Sequence, residues 1–495
     1  MHRVPLLSGS RVQLVPVGED DVVIRPPPPS KQIVDVAAAV RDAFRYPLSG
    51  RPLDALVTRG GRATIVVEPA ALPLPGAPQD ARQTATAVAI AELERCGVPD
   101  ERQTLFVAGG LGRRFEQSDL ERLLAPPQAR AFRGRVLVHD AEDEALVSIA
   151  DGIRVHPALL DTDFVLTVTA AESLLHGGPG ALLASCDAAT VRSAAGAESL
   201  LDVAGSPVWA LALRLEAALA ERVALAGVSL VLDLPRFTGR YHGYPHDEDA
   251  VARVARSPLR SAFSLLPDQL RRDLLATQGR RMSATGAFAG RPSVAHAEAL
   301  LRGVARRGVR LDGQVDALVV GVPWIGPHVP REPLNPVTTA AVALGLALRL
   351  RRDAFPIRDG GTLVLVHPLT RAFAHVTQVP YAAMFGALRE LQDPEGLSDA
   401  ERSAAGDERA LGAYREGRAC HPLLPYADWA GCAPALARLG RVLVAGSRDA
   451  VAARTLGFVP SHGIGSALEM AHGVAGGRAR VGILLAPPYP ALLVG

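Results

Sequence analysis

Short runs of β-favouring apolar residues alternate along this chain with longer stretches of helical period, and no other feature restricts its fold as much. Ala63 to Glu68, Thr104 to Ala108, Arg135 to His139, Phe164 to Thr169 and Val228 to Asp233 read as strands. Their near-continuous apolar character is that of strands buried on both faces. Between them Asp80 to Cys96, Gln117 to Leu124 (opened by Ser118) and Val208 to Leu219 carry helical spacing. Strands alternating with helices require crossover connections, hence mainly parallel sheets covered on both faces. A second series follows: Val294 to Arg307 as helix, Ala317 to Gly321 as strand, Val337 to Leu350 as helix, then strands at Thr362 to Val366 and Arg441 to Ala445. It closes with a helix at Ile464 to Gly473 and a strand at Arg480 to Leu485.

With 495 residues, two such series imply two α/β domains. The polyproline stretch Arg25 to Pro29 sets off residues 1–30 as an N-terminal strap. The first domain is expected over 31–275, the second over 276–475, and a closing strand and tail over 476–495. The Gly- and Ser-punctuated passage from Ala276 to Gly290 marks the boundary. The acidic stretch Asp393 to Glu408 is expected as a solvated excursion.

Composition narrows the function classes. A net charge of +2, without a basic block, gives no reason to expect nucleic acid. No apolar run reaches the length that crosses a bilayer, and the first ten residues lack a leader pattern, so the expected location is cytoplasmic. Cys96, Cys186, Cys420 and Cys432 are scattered without the spacing of a zinc site or a disulfide framework, and no metal ligand is assigned. Lys31 is the sole lysine. Chemistry that needs a lysine amine therefore uses Lys31 or is absent, and a Walker loop is excluded.

Several stretches, in order, resemble the nickel-dependent lactate racemase family. Ala39 to Leu53 resembles an early segment of the family that precedes the first strand. Ala108-Gly-Gly-Leu-Gly-Arg113 stands where the family has an Ala-x-Gly-x-His-Arg loop. His139-Asp140, Asp163-Phe-Val-Leu166 and Gly177-Gly-Pro-Gly180 follow its later pattern, and Leu456 to Tyr489 its closing helix and strand. The resemblance implies two α/β domains with mainly parallel sheets facing each other across a cleft and enclosing a nickel pincer nucleotide tethered through a lysine. It also implies a pair of histidines that move the proton of a 2-hydroxy acid.

The residues that would carry that chemistry differ here. The family's arginine in the loop after the first strand corresponds to Leu72, and the histidine of the second loop to Gly112, although Arg113 and Arg114 follow. In the glycine loop the tethering position is Leu183. The upstream histidine corresponds to Ser173, or to His176 if the alignment shifts by one turn. No histidine lies between Ala188 and Val208, where a metal ligand is expected, and Thr339 occupies another lysine position.

The expected reading is a lactate-racemase-like scaffold without the covalent nickel pincer cofactor, acting as a non-catalytic binding or partner protein. The alternative is an active 2-hydroxy-acid racemase or epimerase with a relocated or untethered nickel pincer nucleotide. A third is a different reaction centred on the loops of His328 and of His367 to His375. Candidate catalytic residues are His176, His328, His367 and His375. Candidate cofactor or anion contacts are Arg113, Arg114, Gly177, Gly178, Gly180 and Arg371, because glycine-loop amides and guanidinium groups suit a phosphate or carboxylate. A small anionic metabolite is the expected ligand, and a protein partner or homo-oligomer is admitted. His242, His246, Asp247 and Glu248 form a weaker metal-like grouping.

Overall fold

A computed structural model describes residues 2–30, 34–69, 80–115, 120, 123–150, 152–276, 280–281, 283–324, 334–373, 375–391, 394–475, 479–486 and 489–495. Lys31, Leu72, His328 and Arg331 lie outside these residues.

Two six-stranded sheets organise the chain. In the first, the strands lie side by side in the order Ala284–Gly290, Ala224–Leu232, Phe164–Ala170, Ala63–Val67, Gln103–Val107 and Arg135–Val138. All are parallel except Ala284–Gly290, which is antiparallel to its neighbour. Ala63–Val67 and Phe164–Ala170 are buried at every residue, as strands with helices on both faces must be. The second sheet is parallel throughout: Val459–Ser461, Arg441–Ala445, Ile357–Val366, Val315–Gly321, Val481–Leu484 and Val22–Ile24. The fold is therefore α/β with two mainly parallel sheets. No helix among the described residues is long and apolar enough to cross a membrane.

Local chemistry places the helices. Asp80 closes a capping box with Gln83 at the start of Ala81–Arg95, and Ser206 caps Pro207–Ala220 with proline in its first turn. Asp247 accepts from two amides at the start of Glu248–Arg256.

Three expectations change. The segment expected as a strap forms a hairpin, His2–Ser8 with Arg11–Val17, and then the edge strand Val22–Ile24. Val4, Leu6 and Val15 bury against Val319, Val364 and Ile483, so the segment belongs to the second sheet's core. The passage expected between domains contains Ala284–Gly290, a strand of the first sheet, and the helix Pro292–Arg307 packs on that strand and on Ala224–Leu232. The second series begins only after Arg307, at Val309–Leu311. Glycine content suggested a linker here, whereas Gly290, with φ of 148°, lies close against Ser49. The expected solvated excursion is a pair of helices, Pro394–Ala405 and Glu408–Arg415, with Leu397, Ala400, Ala404 and Leu411 turned to the core.

The helices after Pro235 leave the first sheet and cover the second: Val251 and Val254 pack with Tyr244 against the hairpin. A large apolar cluster joins the two halves, holding Leu111, Ala141, Ala171 and Leu200 together with Leu344, Tyr414 and Leu423.

Candidate functional site

Numbered along the chain, the first sheet has the strand order 6-5-4-1-2-3. The direction of progression reverses between Ala63–Val67 and Phe164–Ala170. Carboxyl ends at such a reversal are where open α/β sheets bind ligands. Glu68 follows one of these strands directly, Glu172 follows the other by two residues, and Asp233 follows the neighbouring Ala224–Leu232. Arg82 reaches from the helix Ala81–Arg95, placing Nη1 3.0 Å from Glu172 Oε1 and Nη2 2.6 Å from Asp80 Oδ2. Glu172 and Asp233 are buried. Burial pushes the Glu68 carboxyl well above its usual range, and the charge of Glu172 adds to this; Arg82 and the Gly177 N–H oppose it. Ionisation of the Glu68 carboxyl is thereby disfavoured at this position. Burial works against the Arg82 cation, but Glu172 and Asp80 outweigh it and hold the guanidinium above its ordinary value. Arg307 donates to Ala171 O at 3.1 Å from the far side. These groups were not singled out in the sequence, where they are spread over about 240 positions from Glu68 to Arg307. The available signal was an acidic residue at the end of each of three strands.

The glycine loop lies beside this cluster. Gly177 and Gly178 have φ of 105° and 52°, which only glycine adopts without strain. What approaches them is the chain's own His296. A Cβ on Gly178 would lie 2.3 Å from His296 Cβ, and one on Gly177 2.4 Å from His296 Cε1. The loop amides are directed inward: Gly177 N–H to Glu68, Gly178 N–H to Thr169 Oγ1 at 2.9 Å, and Gly180 N–H to Gly177 O at 2.9 Å. His296 is fully buried, with Nε2 2.9 Å from Ser173 O, Nδ1 3.3 Å from Ser229 Oγ, and its ring stacked on Trp209. Burial pushes its imidazole down to about 4, against the Ser173 carbonyl. Leu182 and Leu183 are buried among Leu174, Ala181 and Cys186 in the first domain's core. His176 is half-buried, and its backbone exchanges hydrogen bonds with Ser173.

The second loop is covered by the other domain. Arg114 Nη1 donates to Arg415 O at 2.6 Å and stands 3.5 Å from Asp140. His421 N donates to Leu111 O, and His421 Nε2 lies 3.0 Å from Glu142. The Tyr414 hydroxyl accepts from Ala141 N at 3.1 Å. Arg113 Nη1 donates to Arg114 O at 3.2 Å. His139, at the end of the third strand, is buried with Nε2 2.8 Å from Cys186 O, and burial depresses it to about 3.

The second-domain candidates lie at the other sheet. His367 is buried at the end of Ile357–Val366, and burial, opposed by Asp268, pushes it down to about 4. Arg371 is exposed, 3.9 Å from Asp449. His375 accepts from Thr377 N and caps a short helical turn. Asn335 caps Pro336–Ala340, and Thr339 is buried with its hydroxyl donating to Asn335 O. The structure thus brings Gly177, Gly178 and Gly180 together around His296. Arg113 and Arg114 stand in the seam with Arg415, while His367 and Arg371 stand at the second sheet. In the weaker metal-like grouping, Asp247 caps a helix and Glu248 pairs with Arg25. Among the described residues no group of three or more His, Cys, Asp or Glu is arranged to hold a metal ion.

Residues 9–157 match the lactate racemase N-terminal domain. The whole chain superimposes on the whole lactate racemase apoprotein from Thermoanaerobacterium thermosaccharolyticum, with a TM-score of 0.63 and 11% identity. A protein from Thermotoga maritima aligns over 93% of this chain and 97% of its own, with a TM-score of 0.49 and 12% identity. No curated protein matches. The chain thus resembles the lactate racemase N-terminal domain over residues 9–157 and shares the fold of the racemase apoprotein along its length.

Proposed function

We propose that this lactate-racemase-like protein is a non-catalytic binding or partner protein that carries no covalent nickel pincer nucleotide. The observation that carries the reading is the glycine loop filled by His296. A loop that cradles a phosphate leaves its amides directed outward; here Gly177, Gly178 and Gly180 give theirs to Glu68, Thr169 and Gly177 O. The residues present do not fit a lysine-tethered nucleotide. Position 183 is a leucine packed in the core, with neither an amine nor an open path.

Proton exchange on both faces of a substrate carbon needs groups that titrate near neutral pH. Burial holds His139, His296 and His367 neutral far below that range. Each has a packing role or lies apart from the others. What remains at the strand reversal is the network of Glu68, Glu172, Asp80, Arg82 and Arg307, which positions backbone and can bind through charge. A small anionic metabolite or a protein partner is the matching ligand class.

Nickel analysis of the full-length protein, produced together with the enzymes that make the pincer cofactor, tests this. Nickel well below one equivalent, with no racemisation of lactate or malate, is the expected outcome. One equivalent of nickel overturns it.

A further inference from the structure

The carboxyl edge of the second sheet gathers cations that the reading above does not use. Ile357–Val366 and Arg441–Ala445 are adjacent parallel strands, and the loops leaving their carboxyl ends carry His367 and Arg448. The turn of the N-terminal hairpin is seated at this edge. Gly9 N donates to Val322 O at 2.7 Å, and a Cβ on Gly9 would lie 3.7 Å from His367 Nε2. Beside it, Ser10 Oγ accepts from Arg271 Nε at 3.0 Å and donates to Asp268 Oδ1 at 2.5 Å. Arg11 is the next residue. Its guanidinium is held below its ordinary value by burial, then by the charges of Arg448 and Arg271, with Asp268 opposing.

The guanidinium groups of Arg448 and of Arg271 therefore both stand close enough to act on that of Arg11. Arg271 is engaged by Ser10, Asp268 and the Leu266 carbonyl. Arg448 N donates to Leu369 O at 3.1 Å, which holds its loop beside that of His367, and the guanidinium groups of Arg11 and Arg448 have no hydrogen bond or ion pair among the described residues. His367 is 6% exposed, and its buried Nδ1 has no partner. A neutral imidazole offers one donor and one acceptor. Two guanidinium forks without a hydrogen-bonded partner match a dianion with several oxygens better than a single carboxylate. Strand ends of a parallel sheet are the usual place for such a ligand.

We propose that Arg11 and Arg448 bind a phosphate or the phosphoryl group of a small metabolite at this edge, with Arg271 and Ser10 fixing the hairpin turn and His367 adjoining the site. Calorimetric titration of the full-length protein with inorganic phosphate, and separately with glycerol phosphate, tests it. The proteins are the wild type, Arg11→Gln, Arg448→Gln and the control Arg302→Gln, whose exposed arginine pairs with Glu298 elsewhere. Binding at millimolar concentration or tighter is expected, weakened about tenfold or more by each site variant and unchanged in the control. Tighter binding of glycerol phosphate assigns a phosphorylated metabolite, and equal binding assigns free phosphate. The wild type gives a second readout, the imidazole NMR signal of His367, expected to move as phosphate is added. Absence of binding by both probes at tens of millimolar overturns the proposal. So does binding that both site variants leave intact, or a His367 signal unmoved at saturation.

Discussion

Replacement of His296 by alanine removes the side chain that closes the glycine loop, and the structure sets the size of the effect. The imidazole makes two hydrogen bonds, to Ser173 O and Ser229 Oγ, and both serines are buried, so no water stands ready to replace it. Its loss leaves the Ser229 hydroxyl unpaired, while Ser173 O keeps the His176 N–H, at a cost of roughly 1–3 kcal/mol. The cavity beside Trp209 adds a large-to-small loss of roughly 2–5 kcal/mol, giving a total of about 3–8 kcal/mol. Gly178→Ala probes the same contact from the other side. Its Cβ would meet His296 Cβ at 2.3 Å with φ at 52°, so overpacking and a left-handed conformation together cost about 2–5 kcal/mol. Urea unfolding at pH 7.5, followed by far-ultraviolet circular dichroism, measures both, with the denaturant slope as the check that the folded states compare. A loss below about 1 kcal/mol in both variants would mean that the loop is open and His296 is not its plug.

Stability should fall as the pH drops below 6.5. His139, His296 and His367 have folded values of about 3, 4 and 4, so each stabilises fully above the unfolded value of 6.5 and loses that contribution as the pH falls toward the folded one. Between pH 6.5 and 5 this amounts to about 2 kcal/mol per imidazole. Glu68 and Glu216, both raised by burial, oppose it in that window, because lower pH relieves their ionisation in the unfolded state. His367→Gln should therefore lower the proton uptake on unfolding at pH 5.5 by about one relative to the wild type; an unchanged uptake contradicts the assignment. Glu68→Gln, which removes a carboxyl whose ionisation burial disfavours, should lower the thermal midpoint at pH 7.5 less than Glu172→Gln does. Glu172→Gln removes one of the two carboxylates that pair with Arg82, Asp80 remaining, and should cost roughly 1–3 kcal/mol. Equal effects of the two would contradict the direction assigned to Glu68. Tyr414→Phe leaves the Ala141 N–H unpaired in the seam and should cost about 1–2 kcal/mol, read as a lowered thermal midpoint.

Much of the scaffold was legible because its signals are local. The strands Phe164–Ala170 and Arg441–Ala445 are apolar at nearly every residue, and Asp80 and Ser206 announce their helices by capping chemistry. The hairpin His2–Ser8 with Arg11–Val17 was missed because its alternation is interrupted by Pro5 and Pro16, and its partner sheet is formed some 300 residues later. Ala284–Gly290 read as linker because its glycines and alanines serve close packing, which looks the same in a sequence as flexibility. The glycine loop was located, but its contents were not. Nothing near Gly177 indicates that His296, from another element, occupies it, and the same distance hides the pairing of Glu172 with Arg82.

A non-catalytic binding or partner role requires that the racemase-like scaffold hold no tethered nucleotide. The most direct measurement is the intact mass of the full-length protein, produced together with the cofactor-synthesis enzymes and analysed by mass spectrometry without denaturing adducts. The account predicts the mass of the sequence alone. An excess of nucleotide size, mapped by digestion to any residue between Gly177 and Asp187, would contradict it.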